Sequence, residues 1–171
     1  MEPLSRAVPS GRGGAVRVAP AGPYAEAVAD GRIWAMLHHI ELWVPDLGRA
    51  TRSWGWLLGE LGYQSFQEWS DGRSWALDGV YIVVEQSPAM TAPSHDRCRP
   101  GLNHLAFRVI DSERVDALVA AAPEHGWTLM FTDRHPHAGG TDQYAGYLEN
   151  EDGFEVELVA DRDRSGASRT T

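Results

Sequence analysis

Two histidines occur in matched settings. His39 lies in LHHIELWVPD and His104 in LNHLAFRVID, an offset of 104 − 39 = 65 residues. At that offset Leu37/Leu102, His39/His104, Val44/Val109 and Asp46/Asp111 coincide. Both segments alternate like strands, which gives each residue a side. His39, Glu41 and Trp43 fall opposite Ile40, Leu42 and Val44; His104, Ala106 and Arg108 fall opposite Leu105, Phe107 and Val109. Near the end of the chain Glu155 and Glu157 share one face of an otherwise apolar strand, with Val156 and Leu158 on the other. An acid there is costly to bury unless something positive meets it. Two neutral imidazoles and a carboxylate suit a divalent cation, with waters or substrate completing its shell. His38 falls on the opposite strand face from His39 and is the weaker candidate of the HH pair.

Composition narrows what else the chain can do. Of 171 residues, 15 are basic and 24 acidic, so 15 − 24 gives −9. All the basic residues are arginine. Without lysine there is no Schiff-base amine and no P-loop lysine. A single cysteine, Cys98, forbids an intrachain disulfide and every multi-cysteine zinc site. Any bound metal must therefore be held by His, Asp and Glu. Cys98 lies in SHDRCRP between Arg97 and Arg99, which favour a lower thiol pKa, but a linker thiol without a partner reads as incidental. The negative balance argues against non-specific nucleic-acid binding. No apolar run approaches the roughly 20 residues of a membrane span. The N-terminal stretch also lacks a signal-peptide core, so a soluble protein of the cytoplasm is the expectation. Neither GxGxxG nor GxSxG occurs.

The elements that must position these residues form a repeat. Residues 1–34, rich in Gly, Ala, Pro and Arg, read as a disordered arm with a short helix near residues 24–29. Residues 161–171 read as a loose polar tail, leaving a folded part over about 36–160. Module one spans about 36–86, a linker 87–100, and module two about 101–160. In each, the first strand leads into a helix: 48–61 with Trp54, Leu57, Leu58 and Leu61 at helical spacing, and 112–125 with Val115, Leu118, Val119 and Ala122. Asp111 or Ser112 is placed to cap the second, and Gly62 and Gly126 stop the two helices. Strands are predicted over 63–69, 73–77 and 80–85, then 128–132, 143–148 and 154–159. Asp71-Gly72, Asp78-Gly79 and Asp152-Gly153 supply turns. The prediction is an α+β fold of two tandem βαβββ modules. Trp54, Trp56 and Trp127 read as packing residues; Trp43, Trp69 and Trp75 are available to an aromatic pocket.

LHHIELWVPDL, GLNHLAFRV and LENEDGFEVELV resemble the vicinal oxygen chelate superfamily, over roughly residues 37–160. That superfamily includes glyoxalase I, extradiol dioxygenases, fosfomycin-resistance enzymes and bleomycin-binding proteins. The resemblance implies paired modules whose sheets curl into a cup around one divalent ion (Zn, Ni, Mn, Co or Fe), and a homodimer. Carried over, it implies His39, His104 and Glu157 as ligands. Glyoxalase-like members take a fourth ligand from the last strand of module one, where Glu85 is the only acid. Aligning Asp78-Gly79 with Asp152-Gly153, however, sets Val83 opposite Glu157. If Glu85 is not a ligand, three remain, as in the fosfomycin-resistance branch.

Around that site several residues carry two readings. Glu41 faces the cup, as a general base or as a rim acid paired with arginine. Tyr147 stands six residues before Gly153, where relatives place a substrate-contacting tyrosine; the alternative is a packing aromatic. Arg108 on the cup side and Arg134 in DRHPHAGG are candidates to hold an anionic substrate. His135 and His137 of that loop read as solvated rather than as a second metal site. The leading expectation is a metal-dependent lyase or isomerase of the glyoxalase type acting on a small molecule. Thiol transfer or epoxide hydrolysis comes next, extradiol dioxygenation after it. A drug-sequestering protein is the non-catalytic alternative; such relatives usually lack the ligand set that His39, His104 and Glu157 supply here.

Overall fold

Asp46 and Asp111, matched in the repeat, do the same job in the folded chain. A computed structural model describes residues 37–92 and 94–161. The arm expected over residues 1–34, with its short helix, and the tail beyond Asp161 lie outside the described residues. Strand β1 (His39–Trp43) runs into helix α1 (Leu47–Glu60), and Asp46 at its N-cap accepts the Arg49 backbone N–H at 2.8 Å. In module two, β5 (His104–Val109) runs into α2 (Ser112–Ala121), and Asp111 accepts the Arg114 N–H at 2.8 Å. Each cap satisfies a donor that the first helical turn leaves orphaned.

The two helices end differently. Gly62, at φ 90°, turns the chain after α1. The helix predicted over 112–125 keeps α geometry only to Ala121; Ala122–His125 is a 3-10 turn, closed by Gly126 at φ 78°. Pro123 accounts for the change, since it offers no backbone N–H to a continuing α-helix.

Module one continues through β2 (Gln64–Trp69), β3 (Gly72–Leu77) and β4 (Val80–Glu85), and its sheet is ordered β1-β4-β3-β2. Asp78 and Gly79, at φ 48° and 86°, make the tight β3–β4 hairpin, whose twist needs left-handed backbone at both positions. Module two continues through β6 (Trp127–Leu129), β7 (Ala145–Asn150) and β8 (Glu155–Ala160), ordered β5-β8-β7-β6. In each sheet the first strand pairs parallel with the last and the remaining neighbours are antiparallel. β6 is shorter than predicted and β7 begins later. Phe131, at φ 50°, and the turns that follow take the chain out of strand geometry until Ala145.

The core lies on the helix side of both sheets and is shared. Trp54 of α1 is fully buried, edge-on to Trp127 (5.1 Å between centroids) and to Phe154 (5.9 Å) of module two. Trp127 donates its Nε1–H to the Ser53 carbonyl at 3.0 Å. Arg49 adds an ion pair to buried Asp152, and Arg114 donates to the Glu60 carboxylate at 2.6 Å. Trp75 is buried in the same layer, opposite Ile82 and against Gly55, so it is not available to an aromatic pocket on the other face. β1 and β5 are each the outermost strand of their sheet.

Candidate metal centre

The strand registers place every candidate. On the module-two face away from α2, Ala106 stands beside Glu157 and Glu157 beside Tyr147; in the neighbouring row His104 stands beside Glu155 and Glu155 beside Glu149. His104 and Glu157 converge, with Nε2 3.4 Å from Oε2. The other atoms of both groups are occupied. Glu157 Oε1 accepts from the Tyr147 hydroxyl at 2.5 Å and from Gln143 Nε2 at 2.8 Å. His104 Nδ1 meets Asn103 Oδ1 at 2.7 Å. The atoms left facing each other, Nε2 and Oε2, suit one small cation. Two donors bound at ordinary zinc distances to one tetrahedral ion stand about 3.3–3.6 Å apart. Glu157 is only 6% exposed, so the Tyr147 and Gln143 donors offset part of the cost of burying its carboxylate. Tyr147 is in turn pushed well above the ordinary phenol range, first by burial and then by its bond to Glu157. Both effects favour the protonated phenol, the form that donates to Glu157.

His39 belongs to the other sheet. Its ring stacks on Tyr81 (4.8 Å, 6° between planes), and its Nδ1 lies 2.8 Å from His38 Nδ1. β1 begins at His39, so His38 is free of the strand's alternation and meets its neighbour rather than facing away. Among the described residues no three His, Cys, Asp or Glu side chains converge on one metal position. One chain thus assembles His104 with Glu157 and does not bring His39 to them.

Glu41 and Glu85 lie on the His39 side. Glu41 pairs with Val83 and Trp43 with Glu85, so the counterpart of Glu157 is Val83 and Glu85 sits one row further along. Glu41 Oε1 accepts from Trp43 Nε1 at 2.7 Å. The Glu85 carboxyl is raised above its ordinary range, by burial first and by the Glu41 charge second.

The two arginines proposed for substrate each have a partner within the chain. Arg108 donates to Asp161 at 3.0 Å, in a cleft of about 1000 Å³ also lined by Ala106, Gln143 and Val159. The Arg134 guanidinium lies 4.6 Å over the Phe131 ring. His135 and His137 turn Nδ1 toward the carbonyls of Ala145 (3.2 Å) and Gln143 (2.9 Å), tying the loop to itself. Arg97 of the linker brings a cation to the module-two face, where it pairs with buried Glu155 at 2.9 Å and with Glu149 at 3.4 Å. Three residues of this neighbourhood escape sequence reasoning: Arg97, Asn103 and Gln143. Only Arg97 has a signal, because Glu155 shares the buried face of Glu157 and requires a positive partner.

Comparison with known proteins agrees with this architecture. Residues 38–147 match the model of the glyoxalase/bleomycin resistance protein/dioxygenase superfamily. The chain is 46% identical over 125 residues to the uncharacterized protein YqjT of Bacillus subtilis, covering 72% of this chain and 98% of that one. A crystal structure of a candidate glyoxalase from Bacillus halodurans matches with a TM-score of 0.71 at 42% identity, over 74% of this chain and 96% of that one. At 19% identity and a TM-score of 0.51, the fold is also that of the fosfomycin resistance protein FosX from Listeria monocytogenes, solved with Mn(II) and a dihydroxypropylphosphonic acid; the match spans 74% of this chain and 90% of that one. With the family model matched over more than half its length, the chain belongs to the glyoxalase/bleomycin resistance protein/dioxygenase superfamily.

Proposed function

We propose that the protein is a metal-dependent enzyme of the lyase or isomerase type, acting on a small substrate with neighbouring oxygens. The observation that carries this reading is the His104–Glu157 pair, whose facing atoms stand 3.4 Å apart while their other polar atoms are held by Asn103, Tyr147 and Gln143. His39, His104 and Glu157 are the ligands proposed, and the bound ion would supply Lewis acidity toward the substrate oxygens.

His39 reaches the pair from a second copy of the chain. β1 and β5 are both outer strands, and an unpaired strand edge is a template for pairing with another chain. Three large apolar side chains lie exposed at or beside the ends of these strands: Leu37 (57%), Trp43 (44%) and Ile110 (78%). Setting β1 of one copy beside β5 of the other covers them and forms two equal sites per dimer. Glu41 then faces the site from the same strand face as His39 and serves as the base that moves a proton. Trp43 steadies its carboxylate. Tyr147 holds the orientation of Glu157 and keeps its own proton.

A second reading keeps the same three ligands. Because Val83 occupies the counterpart of Glu157, module one supplies no matched carboxylate, and thiol addition to an epoxide or its hydrolysis is the alternative chemistry for that site.

Divalent-metal titration of the purified chain tests the proposal. The wild type binds Mn²⁺ or Zn²⁺, and His39→Ala, His104→Ala and Glu157→Ala each lose the site. Co-expressing His39→Ala with His104→Ala restores about one quarter of the wild-type sites, since half the dimers are mixed and each mixed dimer holds one intact site of two. A wild type that binds no divalent ion sinks the enzyme reading. No recovery in the mixture sinks the arrangement across two copies.

A further inference from the structure

Both duplicated histidines are met at Nδ1 by the residue just before them. In module one this is His38, 2.8 Å from His39 Nδ1; in module two it is Asn103, 2.7 Å from His104 Nδ1. The Asn103 contact has only one chemically consistent assignment. Asn103 Nδ2 donates to the Arg97 backbone carbonyl at 3.1 Å, and a carbonyl can only accept. The amide is thereby oriented with Oδ1 toward the imidazole, and an amide oxygen also only accepts. His104 must then carry hydrogen on Nδ1. In the neutral ring this leaves Nε2 bare, and Nε2 is the atom turned to Glu157 Oε2 at 3.4 Å. Two lone-pair atoms at that distance repel unless a metal ion or a second ring proton lies between them.

We infer that Asn103 is a positioning residue: by accepting the Nδ1 proton it sets the tautomer of His104 and presents Nε2 as the metal-binding atom. The inference rests on the proposed metal function for its purpose, and on the Arg97–Asn103–His104 chain alone for its geometry. Asn103 is exposed, so its replacement removes the acceptor without opening the core.

The test uses the full chain and two measurements. Long-range ¹H–¹⁵N spectra of metal-free protein, recorded about two pH units above the ordinary imidazole pKa, read the tautomer directly. The wild type shows His104 protonated at Nδ1, and Asn103→Ala shifts it toward Nε2–H. Zn²⁺ titration of the same variant shows affinity falling about 10–100-fold, the usual cost of removing an outer-shell partner. Asn103→Asp, whose carboxylate still accepts the proton, stays within about threefold of wild type, which a merely structural role would not predict. An Asn103→Ala variant with the wild-type tautomer overturns the inference, as does one whose Zn²⁺ affinity stays within about twofold of wild type. A wild type that binds no Zn²⁺ counts against the metal function alone, and the tautomer measurement then decides the role of Asn103.

Discussion

On the faces turned away from the helices, the middle row of module one runs Glu41, Val83, Ser74, and that of module two runs Ala106, Glu157, Tyr147. The backbones correspond strand for strand, but the acid has changed place. In module one it stands on the outer strand with the indole of Trp43 as its donor; in module two it stands on the inner strand, held by a phenol and an amide. Around these rows module one is aromatic, with Tyr81, Trp43 and exposed Phe66, whereas module two is ionic, with Arg97, Glu155 and Glu149. Duplication supplied two equivalent histidines. Module two carries a carboxylate held by two donors and module one an aromatic wall around Glu41, so the two faces differ in chemistry while sharing one backbone plan.

The largest effect expected from breaking this comparison is at the acid. Glu157→Ala should reduce divalent-metal affinity by more than the roughly 10–100-fold that loss of an outer-shell partner costs. Glu85→Ala, one row removed from the matched position, should leave it within about threefold. Calorimetric titration of both variants decides the point: equal losses would mean that module one contributes a carboxylate as well, and that the asymmetry of the two faces is only apparent.

The helix layer is asymmetric too. Trp54 is fully buried between the modules, while Val119, its counterpart at the 65-residue offset, is only partly buried. Trp54→Ala should cost about 3–5 kcal/mol of unfolding free energy. Val119→Ala should cost about 1–2 kcal/mol. Denaturant unfolding followed by tryptophan fluorescence measures both. Similar costs would show that the core is divided evenly rather than resting on α1.

How much of this could be read from the sequence follows from what each feature depends on. The His39 and Glu157 faces follow from a period of two, and Asp46 and Asp111 follow from what a helix start needs. Both are local rules, and both hold. Trp75 shows where locality ends: the same aromatic serves either face, and its place under α1 is decided by the β3 register and by Gly55. The separation of His39 from His104 is of another kind. Alternation states which way a strand's residues face, but not which sheet edge meets which. That depends on long-range packing such as the contact of Trp54 in α1 with Trp127 in β6, which joins the modules on the helix side of the sheets while β1 and β5 stand at the sheet edges. Arg97, Asn103 and Gln143 come from loops, where no periodicity announces them.

The smallest expected effect isolates the acidic side of module one. Burial and the neighbouring Glu41 charge raise the Glu85 carboxyl above its ordinary value, so the folded protein holds a proton there that the unfolded chain releases more readily. For an acid raised in this way, the stabilising contribution is complete below the unfolded pKa and is lost as pH rises through the folded one. Once Glu85 is ionised in the folded protein, its charge carries a cost that Glu85→Gln removes. The melting midpoint of the variant should rise by about 1–3 °C at pH 7, the scale of a solvent-screened repulsion, and the gain should vanish by pH 4. Repeating the melt in the Glu41→Gln background separates the two causes. If the gain at pH 7 disappears there, Glu41 is the dominant source and the two acids act as one charged patch. If it persists, burial of Glu85 is enough, and Glu41 is electrostatically free to work toward the site.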